Sequence, residues 1–463
     1  MPRSHVITDW DPEDTVAWAA GNDKIARRNL IWSTIAEHVG FSIWSIWSVM
    51  VLFMPESVYG FTSGDKFLLA ATATLAGGGL RIPYSMATAK FGGRNWTIFS
   101  ALVLLIPTVS MMVLLAHPGL PLWPYLACAV LTGLGGGNFA ASMTNVNAFY
   151  PNRLKGSALA VNAGGGNLGV PLIQLVGLAV LATAGNRQPH WVCAIYLVFL
   201  AVTGIGAALF MDNLANHKVD LTAMRSILPA ADTWIIALLY IGTFGSFIGY
   251  SFAFGQVLQI SFVGSGQSAA QASLHAAQIA FLGPLLGSVA RIIGGRVADR
   301  IGGGRVTLAA FGGMFAAAGL LAGVSFLNDH RSGPTSSATM VGFVIGFVAL
   351  FIVSGIGNGS VYKMIPSVFE ARSHALGLNE SERQQWSRAM SGALIGFAGA
   401  IGAFGGVGIN LALRQSYLSS GSATAAFWIF LAGYIVAAGV TWLRYVRSPI
   451  LTVQPARAAL APA

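Results

Sequence analysis

The sequence predicts an all-α integral membrane protein: twelve transmembrane helices in two six-helix bundles, with both chain ends in the cytoplasm. Three observations carry this reading. Only 9% of the residues are charged and 55% are hydrophobic, whereas an ordinary soluble domain has about 25% charged residues. Twelve apolar runs reach spanning length. The basic residues fall almost entirely on one side of those runs.

The runs fall at 31–54, 67–89, 96–116, 122–149, 157–183, 190–211, 233–259, 275–297, 305–327, 339–369, 387–412 and 424–444. With the N-terminus inside, cytoplasmic segments hold 19 of the 26 Lys and Arg residues, among them Arg3, Lys218 and Arg457, and external loops hold 4. The other three, Arg81, Arg291 and Lys363, lie within runs. The net charge of +10 is parcelled out between hydrophobic runs and forms no patch, so no nucleic-acid partner is expected. Cys128 and Cys193 each sit in an apolar run, read as small buried hydrophobes without a disulfide. The acidic, polar start (ITDWDPED) has no short apolar core, so no cleavable signal peptide is expected. No metal cluster and no pair of acids falls within a run. Neither a metal nor a cofactor nor an enzymatic activity is expected.

The most polar internal stretch, MDNLANHKVDLTAMRS, divides the chain. The expected units are a cytoplasmic tail (1–30), a six-helix bundle (31–211), a cytoplasmic linker (212–232), a second bundle (233–444) and a cytoplasmic tail (445–463). The halves repeat each other. RIPYSMATAKFGGR (81–94) corresponds to RIIGGRVADRIGGGR (291–305): both begin Arg-Ile inside the second span of a half, with a basic residue nine positions on and a Gly two further. GLGGGNFAASM (133–143) corresponds to GIGNGSVYKMI (355–365) in the fourth span. Two six-helix halves with matching internal features indicate a secondary transporter with its site between the halves.

Arg81 and Arg291 raise the question of charge. An intramembrane guanidinium costs at least a few kcal/mol. Of the 16 acidic residues only Glu37 falls within a span, and it lies early in the first, toward the cytoplasm. Two cations facing each other across the pseudo-two-fold then lack a protein counterion, so the substrate should be an anion. Guanidinium is planar, weakly hydrated and always charged, with donors in a fork. It suits a small planar oxyanion gripped from two sides. Two glycine-rich stretches frame the site, NAGGGNLGVPLIQ with Gly164, Gly165, Gly166 and Gly169, and GIGNGSVYKMIP with Gly357, Asn358, Gly359 and Ser360. Glycines there let helices pack closely or slide. Asn167 within the first is a buried amide that needs partners.

These stretches, with LRIPYS, FGGR, GNFAASM and LLYIGTFGSFIG, resemble the nitrate/nitrite porter family of the major facilitator superfamily, and the similarity runs through nearly the whole chain. The resemblance implies that Arg81 and Arg291 grip nitrate or nitrite, that Asn167 and Tyr240 donate or relay hydrogen bonds, and that Phe139 and Phe244 sandwich the anion plane. GRVADRIGGGR is similar to the superfamily's loop motif, which implies a gating ion pair from Asp299 and Arg300 to a neighbouring helix. It further implies a multi-pass protein of the plasma (inner) membrane, working as a monomer in the bilayer. EHVGFSIW places Glu37 and His38 in the first span and Lys363 lies in the tenth, which is closer to the branch associated with proton-coupled uptake. These three are the coupling candidates. Proton symport and nitrate/nitrite antiport both remain open, and the alternative to a carrier is an anion channel or uniporter.

Overall fold

The computed structural model describes residues 5–215 and 221–447. Arg3, Lys218 and Arg457 of the topology count, and nearly all of the expected C-terminal tail, lie outside them. The spans are α1 (Thr15–Phe53), α2 (Ser63–Gly79, running through Leu80 into Arg81–Phe91), α3 (Gly93–Ala116), α4 (Leu122–Phe149), α5 (Asn152–Ala184) and α6 (His190–Phe210). The second half holds α7 (Ala231–Gly264), α8 (Ala269–Ile301), α9 (Gly303–Asp329), α10 (Ser337–Ser373), α11 (Glu380–Ser420) and α12 (Thr424–Val446). Eleven of these are long and apolar enough to cross a membrane. The other is α2, whose polarity comes from Arg81 and its neighbouring Gly, Pro and Tyr residues.

The helix ends follow local chemistry. Thr62 and Asp65 form a reciprocal cap at the start of α2, as Ser268 and Gln271 do for α8 and Asn379 and Glu382 for α11; each satisfies donors the first turn leaves orphaned. The repeated motif ends both α2 and α8 on a glycine, Gly92 at φ 88° and Gly302 at φ 94°. L side chains rarely adopt such a φ, so the spacing of the two Gly from the two Arg is a stop signal written twice.

Residues 5–30, expected as a tail, are docked. Strand β1 (Val6–Ile7) pairs in parallel with β2 (Asn213–Leu214) of the connector. Buried Asp212 accepts from Arg28 at 2.5 Å and from Asn29 Nδ2 at 3.1 Å. Glu13 accepts from the backbone N of Asn152 at 2.8 Å, at the first turn of α5. Trp10 packs edge-on against Phe149 at 5.2 Å. In the second half, buried Asp232 ties α7 to α10 and α12: it accepts from Arg372, from Arg444 Nε at 3.0 Å and from Tyr445 Oη at 3.2 Å.

The halves meet differently at the two membrane faces. On the face bearing the termini, a cavity of about 1870 Å³ opens between them. Its mouth carries Arg153, Lys155, Asp299 and Lys363, and it reaches inward to Arg81 and Phe139. On the opposite face, amides and hydroxyls cross between the halves. Gln174 Nε2 donates to Ser251 O at 3.0 Å, Gln256 Nε2 to Ser63 O at 2.8 Å, and Gln259 Nε2 and Ser273 Oγ to Leu52 O at 3.1 and 2.7 Å. Phe67 stacks on Tyr417 at 5.4 Å. The molecule is therefore open on one side and closed on the other.

The middle of the first half depends on a tight turn of α4, Gly133–Gly137. A Cβ on Gly135 would fall on the Gly40 carbonyl, one on Gly136 against Gly77 and the Trp44 ring, and one on Gly137 against the Tyr84 ring. Three helices meet there at backbone distance. Gly135→Ala should therefore destabilise by about 1–3 kcal/mol through overpacking, because its new contact is backbone that cannot rotate away. Gly79→Ala, where nothing lies within 4 Å of the added carbon, should not. Thermal unfolding of both variants in detergent checks this, and equal melting temperatures would count against the packing account.

Candidate functional site

Arg81 follows Leu80 on α2, and its side chain is 1% exposed. Nε donates to Gly136 O at 3.3 Å, so the tight glycine turn of α4 presents a carbonyl to it. Nη1 donates to Gly399 O of α11, in the other half. The guanidinium carbon lies 4.7 Å from the Phe139 ring centroid, 4.9 Å from Phe244, 5.4 Å from Trp44 and 5.7 Å from Phe41. Each such contact is worth about 0.5–2 kcal/mol. Together with two carbonyls they offset much of the desolvation. They do not neutralise the charge, and Nη2 has no partner.

Arg291, on α8, lies 5.1 Å from the Tyr362 ring, and its Nη1 is buried without a partner. Tyr362 leans on Tyr240 at 4.7 Å, and Tyr240 stacks on Phe244 at 5.1 Å and 4°. Phe244 in turn faces Arg81. The two guanidinium groups are thus joined through three rings, from α8 through α10 and α7 to α2. A wide π-type turn at Ile241–Gly245 follows Tyr240 and contains Phe244. Among the described residues, neither arginine has an ion pair with an acid.

Further polar groups are buried without partners: the Tyr240 hydroxyl and both amide atoms of Asn167, each residue at most 1% exposed. Asn358, in the matching stretch of α10, has both amide atoms unpartnered as well. Buried polar atoms are normally hydrogen-bonded, so free donors on both guanidinium groups and on Tyr240, in the ring chain between them, point to an anionic ligand. Phe139 and Phe244, expected to flank the anion plane, flank the Arg81 guanidinium in this state.

The glycine-rich stretches are close helix contacts. A Cβ on Gly165 would meet Thr34, on Gly166 the Glu37 carboxylate and on Gly169 the His38 carbonyl, while Gly164 has open space. Gly357 abuts Thr243 and Gly359 the Arg291 carbonyl; the Ser360 and Thr307 hydroxyls lie 2.7 Å apart. Lys363 and Asp299 pair at 2.9 Å, with side chains 49% and 53% exposed. Both belong to the second half and stand at the cavity mouth with exposed Arg300, away from the arginines. His38 Nδ1 lies 2.9 Å from Gly165 O. Glu37 is fully buried against Ser142 and Asn162.

Sequence reasoning missed Phe41, Trp44, Tyr362, Ser142, Asn162 and the Gly136 and Gly399 carbonyls. Tyr362 lies in the GIGNGSVYKMIP stretch beside Lys363, where an aromatic residue on an apolar helix reads as core. The carbonyls have no side-chain signal, because any residue type supplies one.

The Major Facilitator Superfamily sequence profile matches residues 38–390. Nitrate/nitrite transporter NarU of Escherichia coli (strain K12) is 34% identical over 465 residues, covering 96% of both chains. The chain belongs to the nitrate/nitrite porter family of the Major Facilitator Superfamily. The probable nitrate/nitrite antiporter NarK2 of Thermus thermophilus is 30% identical, covering 95% of this chain and 96% of that one. In overall fold the porter is similar to the D-xylose-proton symporter, with a TM-score of 0.65 at 13% identity over 90% of this chain and 97% of that one. It is accordingly a multi-pass protein of the plasma (inner) membrane.

The Glu37–Gly166 contact gives a direct packing test. Gly166→Ala should destabilise by about 1–3 kcal/mol, because its methyl overlaps a buried carboxylate. Glu37→Ala should relieve part of that, so the double mutant should be less destabilised than the sum of the singles. Strict additivity in thermal unfolding would separate the two residues.

Proposed function

We propose that this porter carries nitrate and nitrite across the membrane by alternating access, as nitrate/proton symport or nitrate/nitrite antiport. The observation that supports the reading most is the Arg81–Arg291 couple, without an acid partner among the described residues, joined through aromatic rings and with free donors on both guanidinium groups and on Tyr240. The printed names of the relatives point to the same anions. A flat monovalent oxyanion brings one negative charge and acceptors in a plane, which match forked guanidinium donors.

The carrier reading is favoured over a channel by the state observed. A channel needs a continuous wetted path, whereas here the cavity ends at Arg81 and the far face is sealed by contacts between the halves. With the termini cytoplasmic, as the basic residues predict, this state faces inward. An anion between the guanidinium groups would turn their repulsion into attraction and let the halves close at the terminal face. Arg81 already reaches across to Gly399, so the second half need only approach. Both arginines come from one chain, which makes the monomer the working unit. We read the chain as a carrier and not an enzyme: its relatives are named as transporters, and the groups at the site bind charge without a nucleophile beside them.

Arg81→Lys keeps the charge but cannot reproduce bonds from Nε and Nη1 to two carbonyls while presenting a third nitrogen to the ligand. Nitrate flux into proteoliposomes should fall at least tenfold, and Arg291→Lys should behave likewise. Near-normal flux in either variant would sink the two-arginine clamp. Selectivity checks the same site independently. Chlorate, trigonal and monovalent, should compete with nitrate; sulfate and phosphate, tetrahedral and more strongly hydrated, should compete poorly. A competition series with sulfate ahead of chlorate would contradict it.

A further inference from the structure

Glu37 is fully buried in the first half. Its Oε2 accepts from Asn162 Nδ2 at 2.6 Å and from the Ser142 hydroxyl. Asn162 Nδ2 also reaches Ser142 Oγ at 2.8 Å, and Thr34 donates to Asn162 Oδ1 at 3.1 Å. Oε1 has no partner and lies against Gly166. A carboxyl held this way is a polar site with one oxygen left free, and burying its ionised form costs several kcal/mol unless partners offset it.

Ser142 makes the site fit two protonation states. Its Oγ lies within bonding distance of Glu37 and also 3.0 Å from the Phe139 carbonyl. A hydroxyl has one proton and two lone pairs. When Glu37 is ionised, Ser142 donates to the carboxylate. When Glu37 carries a proton, Ser142 can turn its own to the Phe139 carbonyl and leave the carboxyl unopposed. Phe139 is the ring on which Arg81 rests, so the carboxyl stands one helical turn from the candidate anion site.

The other candidates on this path are engaged elsewhere. The side chains that touch the carboxyl, Ser142 of α4 and Asn162 of α5, do not titrate. On α1 itself, His38 follows Glu37, and its Nδ1 lies against the Gly165 carbonyl. Lys363 is paired with Asp299 at the cavity mouth. The cations at the anion site are Arg81, resting on the Phe139 ring one turn of α4 from Ser142, and Arg291, joined to it through the rings. By Coulomb attraction, cations favour an ionised carboxyl. An anion between them cancels part of their field, so the carboxylate gains proton affinity as the anion binds. Linkage makes this reciprocal: the proton tightens the anion site by the same factor.

We propose that Glu37 is the proton-binding site of this carrier, taking up one proton with each anion. The proposal rests on the reading of the chain as a nitrate carrier. One proton passes from the outer aqueous phase onto the carboxylate as nitrate binds, and both leave into the cavity on the terminal face. The net charge moved is zero. The pH gradient then drives accumulation, by about tenfold per pH unit at equilibrium, and the membrane potential does not.

Two measurements test it. In proteoliposomes with the potential clamped at zero, an inward pH gradient should drive nitrate accumulation by the wild type. In Glu37→Gln, the ratio of gradient-driven uptake to nitrate–nitrate exchange should fall at least tenfold. A Glu37→Gln protein that still accumulates nitrate would overturn the proposal, as would a wild type that exchanges nitrate but ignores the gradient; in both cases the carrier reading stands. A wild type with no nitrate exchange would overturn the carrier reading, and this proposal with it. The second measurement needs no variant: adding nitrate to the purified wild type in weak buffer should draw up to one proton per nitrate bound. Saturating binding with no proton uptake from pH 5 to 9 would overturn the assignment.

Discussion

A positive charge that forms no ion pair among the described residues sits at the centre of this molecule. Arg81 is packed by rings on several sides and bonded to two carbonyls, all of which lower the cost of burial without cancelling the charge. The surrounding architecture follows from holding it there. The tight Gly133–Gly137 turn of α4 brings a carbonyl to Nε. The wide turn of α7 places Phe244 beneath the guanidinium from the opposite half. Arg291 lies against one ring, Tyr362, and the rings between the two arginines make the pair one unit. A charge kept in this way is a standing demand for an anion.

The frame around the pair serves movement as much as stability. Each half is tied to itself by buried acids at the terminal face: Asp212 with Arg28 and Asn29 in the first, and Asp232 with Arg372, Arg444 and Tyr445 in the second. Few of the strong polar links cross between halves on that face. The far face is different, with three glutamine side chains and a serine spanning the seam through single neutral hydrogen bonds. Neutral bonds of this kind contribute about 0.5–1.5 kcal/mol each. They can be exchanged for water when the halves rock, whereas the buried ion pairs within each half are costly to break. On the carrier reading, the halves move as bodies.

Much of this was legible in the sequence, for identifiable reasons. Span length and charge asymmetry report the bilayer directly, and the Arg-to-Gly spacing appears twice because Gly92 and Gly302 must end equivalent helices. An intramembrane arginine stands out against an apolar background, so both were found. What stayed hidden depends on three-dimensional approach. Gly136 and Gly399 act through carbonyls, Ser142 and Asn162 are ordinary helix residues until Glu37 lies beside them, and Phe41 and Trp44 look like core. Lys363 lies on α10 as the hydropathy reads it, but only the fold shows its side chain at the cavity mouth beside Asp299. The docked segment at residues 5–30 was hidden too, since its anchors are two-residue strands and scattered tryptophans.

The central claim is that the ligand supplies the counterion the protein lacks. Thermal unfolding of the detergent-solubilised protein, with chloride replaced stepwise by nitrate at constant ionic strength, tests it most directly. A ligand that binds only the folded state stabilises it by about 2.7 kcal/mol at one hundred times its dissociation constant. The account predicts a melting temperature that rises with nitrate along a binding curve, in wild-type protein and not in Arg81→Gln. An identical melting temperature in nitrate and chloride across the whole series would contradict it.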